Sequence, residues 1–204
     1  MLQCFFYCHI VVESSKFSHQ QLESSEKRAM KYVDKAIKQS SKPFFFAQKA
    51  TLLFLLGQID ESIKCFEKVL KSSKLKKISP SLKAEVLNNY ACSIAKAGQK
   101  SKALSIFEGL ELDKDYLTPE VALVNQARIH YEGSKLDISR SKLELATKFA
   151  PDYVDAHYYL GLVCYSSRMY RTSLRSLNEV IRLEPKHQGA IFLRDKCCKK
   201  LTIC

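Results

Sequence analysis

Pro151 and Pro185 stand thirty-four residues apart, and the stretch they bound, PDYVDAHYYLGLVCYSSRMYRTSLRSLNEVIRLE, reads as two amphipathic helices around a polar turn near Ser166–Arg168. The first helix carries Leu160, Gly161 and Cys164, and the second carries Ser173, Leu174, Leu177, Val180 and Ile181. Apolar residues at i, i+3, i+4 and i+7 mark one buried stripe per helix. A helix pair this short cannot bury both stripes and its own flanks, so it has to stack on copies of itself.

Such copies lie upstream. In PFFFAQKATLLFLLGQIDESIKCFEKVL the small residue is Ala50, flanked by Phe46 and Leu53, and Ser62, Phe66 and Val69 line the second helix. LNNYACSIAKAGQKSKALSIFEGL supplies Leu87, Tyr90, Ala91 and Ile94, then Ala103, Phe107 and Leu110. LVNQARIHYEGSKLDISRSKLELATKFAP supplies Leu123, Ala127, His130, Ser139, Leu143, Ala146 and Pro151. Gly57 and Gly98 fall where a left-handed cap ends the first helix of a pair. Lys49 and Gln126 depart from the pattern where an apolar residue is expected.

The layout resembles the tetratricopeptide repeat (TPR), a 34-residue helix–turn–helix with the pattern W-x2-L-G-x2-Y, A-x3-F and P. His157 takes the aromatic place, Leu160-Gly161 the Leu-Gly pair, Cys164 that of Tyr, Ser173 that of Ala, Leu177 that of the second aromatic, and Pro185 the terminator. A glycine inside a helix costs about 0.5–1 kcal/mol relative to alanine. Here the missing side chain of Gly161 is expected to let the paired helix approach.

The resemblance implies an all-α, right-handed superhelical solenoid of about four repeats with flanking N- and C-terminal helices. Repeats start near 43, 84, 120 and 154, so the array covers 43–185. Residues 1–42 form an apolar N-terminus and a half repeat, in which Ala29, Val33, Ala36 and Ile37 fit a second helix and Val12 to Glu23 a degenerate first one. Residues 186–204 give a capping helix with Ala190, Leu193, Cys197 and Leu201 on one face. The longest spacing between repeats contains KSSKLKKISPSLK, a basic insertion read as a solvated loop.

Thirty-three Lys and Arg against twenty-one Asp and Glu leave a formal charge of +12, which favours acidic partners. Nucleic acid is not the expected partner on this feature alone. Eight cysteines could form a disulfide framework, but a chain of 204 residues is far longer than the small stapled domains that depend on one. Several of them, such as Cys92 and Cys164, lie on helical stripes, which points to buried thiols in a cytoplasmic protein. MLQCFFYCHIVV at the N-terminus lacks a basic flank and is too short to span a bilayer, and no other stretch is a transmembrane candidate. It is expected to pack on the first helices, with a signal peptide, membrane contact or self-association as the alternatives.

Function is expected on the concave groove lined by the first helices, where the resemblance implies binding of an extended or helical peptide segment. The groove candidates are Phe44 and Phe54 in the first repeat, and Asn88, Asn89 and Lys96 in the second. Arg128 and Tyr131 come from the third, and Tyr158 and Tyr159 from the fourth. An asparagine amide can donate to and accept from a peptide backbone, and Arg128 can take a carboxylate. One subfamily grips a C-terminal carboxylate with Lys and Asn side chains. Asn89 matches its middle repeat, but Ala47, Thr51, Val121 and Asn125 do not match the neighbouring ones. Chaperone-type C-terminal tails are therefore not the expected ligand.

No catalytic or metal motif appears: the clusters Cys4, Cys8, His9 and Cys197, Cys198, Cys204 lack paired C-x2-C spacing, and His130 and His157 take packing positions. The expectation is a non-enzymatic adaptor or scaffold without cofactor or metal, whose partner is a protein or peptide. The alternatives are a chaperone of an exported or assembling client, similar to those of bacterial secretion systems, and RNA binding through Lys71, Lys74, Lys76 and Lys77.

Overall fold

The structure, a computed structural model, describes residues 19–40, 42–73 and 79–202. The expectations for residues 1–12, for Lys74, Lys76 and Lys77 and for Cys204 fall outside them. The described residues form ten helices and no strand: α1 (His19–Gln39), α2 (Pro43–Leu55), α3 (Ile59–Lys71), α4 (Pro80–Lys96), α5 (Lys100–Leu112), α6 (Pro119–Glu132), α7 (Leu136–Phe149), α8 (Val154–Ser166), α9 (Tyr170–Leu183) and α10 (Gln188–Leu201). The chain divides into two compact units, 1–106 and 107–204, with the boundary inside α5. The all-α repeat architecture is as expected.

Helix starts follow local chemistry. Pro43, Pro80 and Pro119 open their helices, where the absent N–H would have found no helical partner. Ser79 Oγ accepts from the Leu82 N–H at 3.3 Å, and His187 Nδ1 accepts from the Ala190 N–H at 3.0 Å. Two boundaries differ from expectation. His19–Glu23 belongs to the same helix as Glu26–Gln39, so α1 is one element of 21 residues. Pro80–Lys83, read from the sequence as the end of the basic loop, is the first turn of α4, opened by the Ser79 cap and Pro80.

The turn inside each pair is built four times alike. Gly57, Gly98, Ser134 and Arg168 have φ of 75°, 87°, 58° and 61°. The residue after each donates its N–H back to the helix, from Gln58, Gln99, Lys135 and Met169 to the carbonyls of Leu53, Ile94, His130 and Cys164, at 2.8–2.9 Å. This is a Schellman cap, whose left-handed residue glycine accepts without strain.

Within the pairs the small residues are the contact points. The Ser62, Ser139 and Ser173 hydroxyls, all buried, donate to the carbonyls of Ala50, Ala127 and Gly161 at 2.8, 2.8 and 2.7 Å. Each donor lies twelve residues after its acceptor. The serine that replaces the pattern's alanine thus locks the second helix onto the backbone of the first. In the second pair Ala103 holds this place.

The departures at the apolar position are answered by carboxylates on the preceding helix. Lys49 Nζ donates to Asp34 of α1 at 2.8 Å, and Gln126 Nε2 to Glu111 of α5 at 2.9 Å. Tyr90, at the same place in its repeat, donates its hydroxyl to Glu67 of α3 at 3.2 Å. In the fourth repeat the position is Leu160, which is buried.

In the second unit Leu123, Val124, Ala127, Leu143, Ala146, Ala156 and Leu160 form one core cluster. Leu177, Val180, Ala190, Leu193 and Cys197 form a second between α9 and α10.

Candidate functional site

In the first unit α2 and α4 carry the expected residues. Phe44 and Phe54 are half-buried, and Phe44 meets Phe45 edge-on at 5.5 Å. Lys96 is exposed and Asn89 half-buried. Asn88 departs from the expectation of an amide open to a ligand: it is only 6% exposed, and its Nδ2 donates to Asn89 Oδ1 at 3.3 Å. A helix turns 100° per residue, so of two adjacent asparagines one faces the interior.

The second unit gathers its candidates on one face of α6 and α8. The Arg128 guanidinium lies 5.2 Å over the Tyr159 ring. Tyr159 meets Tyr158 edge-on at 5.6 Å, and Tyr158 meets the His187 ring at 4.7 Å. Tyr131 and Ser166 share a hydroxyl hydrogen bond of 3.0 Å. The run links the first helices of two repeats to the start of α10. Tyr158 also leans on the α9–α10 core, and burial, with a smaller contribution from Tyr131, pushes its phenol above the ordinary value. The backbone of Gly189 passes under that ring: a Cβ there would sit 2.8 Å from the Tyr158 hydroxyl oxygen.

Three further residues of the second unit lie outside the sequence expectation. His187 closes the aromatic run. Phe192 is 63% exposed, and the Lys196 ammonium lies 4.3 Å from its ring centroid. The signal was the period itself, since Phe192 follows Tyr158, and Lys196 follows Leu162, by thirty-four residues.

His157 Nε2 is bonded to the Pro151 carbonyl at 2.8 Å. The imidazole of His130 is held below its ordinary value by burial and then by Lys135 and Lys142. Cys65, Cys164 and Cys197 are free thiols, and burial raises Cys65 and Cys164. Cys198, by contrast, is disulfide-bonded, so the thiol expectation holds for part of the set. Among the described residues no group of three or more His, Cys, Asp or Glu could hold a metal ion, and no helix is long and apolar enough to cross a membrane.

No protein-family model matches this sequence, and no curated protein matches it. Solved structures do. The first TPR of Spaghetti (RPAP3), solved bound to the HSP90 peptide SRMEEVD, is 22% identical and covers 60% of this chain and 95% of its own, with a TM-score of 0.54. YrrB, a TPR protein with an unusual peptide-binding site, is 19% identical over 86% of each chain, with a TM-score of 0.57. The C-terminal part of a TPR repeat-containing protein from Cytophaga hutchinsonii is 16% identical over 88% of this chain and 68% of that one, with a TM-score of 0.67. At such identities the likeness is one of fold, and the fold is that of the tetratricopeptide repeat.

Proposed function

We propose that the chain is a non-enzymatic protein-interaction module that holds a peptide segment of a partner on the first-helix face of its repeats. The observation that carries this reading is the run Arg128–Tyr159–Tyr158–His187. It places a cation, two phenols and an imidazole side by side on elements that the repeat already holds rigid. Tyrosines present large contact area at low entropic cost and keep a polar edge for a peptide backbone. Of the proteins of similar fold, the first TPR of Spaghetti (RPAP3) is bound to an HSP90 peptide and YrrB has an unusual peptide-binding site. Asn89, Lys96, Phe44 and Phe54 supply the corresponding face of the first unit.

The test is affinity capture from a nuclease-treated lysate of the source organism, comparing wild type with Arg128→Glu/Tyr159→Ala. Captured proteins are then mapped with overlapping synthetic peptides. A partner lost with the double variant, and reduced by mapping to one short segment, supports the reading. Equal capture by both chains moves the interaction elsewhere and sinks it.

A further inference from the structure

The α9–α10 hairpin is charged out of proportion to the rest of its unit. Between residues 168 and 200 lie nine Lys and Arg against three Asp and Glu. Two of those three acids are already paired within their own helices: Glu179 with Arg182 at 2.6 Å and Asp195 with Arg194 at 2.8 Å. Lys196, Lys199 and Lys200 stand exposed on the last turns of α10, just beyond the exposed Phe192. At 1.5 Å of rise per residue, Phe192 and Lys200 are about 12 Å apart along the helix.

Resting on the peptide-binding reading, we infer that α10 is part of the recognition face rather than only its cap, and that it selects an acidic segment with an apolar anchor. Phe192 takes the anchor. Lys196, Lys199 and Lys200 take carboxylates within the next three or four residues of the bound segment, since an extended chain spans about 12 Å in that number. The occupant is set by charge. A second copy of this chain would bring a like-charged hairpin against the first, which costs rather than gains. Single-stranded nucleic acid is held by stacking successive bases on several aromatic side chains, whereas α10 carries one aromatic residue, Phe192, with the Lys196 ammonium already over one of its faces. An acidic peptide keeps this pair intact and adds a counter-charge to its cation.

The experiment is panning of the full-length protein against a library of random twelve-residue peptides with blocked C-termini. Selected sequences are then remeasured by fluorescence anisotropy at low and at physiological salt. The expected result is enrichment of peptides with two or more Asp or Glu within four residues of an aromatic or aliphatic residue. Lys196→Glu/Lys199→Glu should weaken them by about tenfold or more, while Lys196→Arg/Lys199→Arg, checked by the same helical melt, should retain them. Phe192→Ala should weaken them several-fold with the salt dependence unchanged. Enrichment without acidic bias, or equal binding by the Glu variant, overturns this inference and leaves the peptide-binding reading standing. No enrichment overturns both. Tighter binding of a single-stranded oligouridylate than of the selected peptides assigns the surface to nucleic acid and overturns it as well.

Discussion

A methyl group placed on Gly161 would lie 2.7 Å from Leu177 Cδ2 and 2.8 Å from its Cγ, closer than any relaxed carbon contact. Both atoms belong to the branch of a fully buried side chain, and the neighbouring Ser173 hydroxyl fixes the approach through the Gly161 carbonyl. The glycine is therefore a packing residue of the fourth repeat. Gly161→Ala is expected to destabilise by about 1–3 kcal/mol, the usual cost of overpacking. Urea unfolding of Gly161→Ala, Leu177→Val and the double variant checks it. The double should lie above the sum of the singles, because the smaller side chain at 177 leaves room for the methyl. Strict additivity would mean that the pair does not touch.

Ser134 tests the caps. Its φ of 58° is the conformation that Gly57 and Gly98 adopt in the first two repeats, but a side chain pays for it there. Ser134→Gly removes that strain and adds unfolded-chain freedom, and the difference is expected to stabilise by about 0.5 kcal/mol. Gly98→Ala should do the reverse by about 1 kcal/mol. Thermal melts of the two variants, moving in opposite directions, check the assignment.

The carboxyl of Glu111 joins α5, α6 and α7 by accepting from Gln126 at 2.9 Å and Lys142 at 2.7 Å. Burial pushes its titration up, but the hydrogen bonds from Lys142 and Gln126 and the lysine charge outweigh that and hold it below the ordinary 4.5. A carboxyl depressed on folding stabilises fully above its unfolded value and loses that contribution as pH falls through the folded one. Glu111→Gln keeps a partner for Gln126 and removes the charge. It is expected to cost about 1–2 kcal/mol at neutral pH, with the gap to wild type closing below pH 4.5. Melts from pH 7 to pH 3 check this. His130, depressed from its ordinary 6.5, loses stability on protonation in a higher window and so does not mimic it.

These residues also show where the sequence stops speaking. The thirty-four-residue period, the small residues of the pair interfaces and the caps at Gly57 and Gly98 are local signals, and each appears in the structure where it was expected. Lys49 and Gln126 were visible as departures, but their partners Asp34 and Glu111 were not, because that pairing is created by stacking one helix on the one before. Asn88 and Asn89 differ by one residue, and only the rotation of α4 decides which is interior. Phe192 is not legible from its helix alone, because the buried stripe of α10 accounts for its apolar residues and the opposite face carries no periodic signal of its own. A repeat pattern fixes the interior first, and a binding surface is what the pattern leaves free to vary.

That freedom makes Gly189 the sharpest probe of the face. Its backbone supports the Tyr158 ring from below, with the hydroxyl oxygen 2.8 Å and two ring carbons 3.2 Å from where a Cβ would stand. Tyr158 in turn touches Tyr159 and His187, so displacing it disturbs the run without removing any side chain from it. Gly189→Ala is expected to cost about 1 kcal/mol or less in stability, since the displaced atoms are at the free end of a side chain. It should nonetheless weaken peptide binding by about three- to tenfold, because a rigid aromatic anchor loses its place. Near-ultraviolet circular dichroism reports the ring movement and anisotropy with a selected peptide reports the affinity. A changed tyrosine spectrum with unchanged affinity would place the bound segment away from Tyr158.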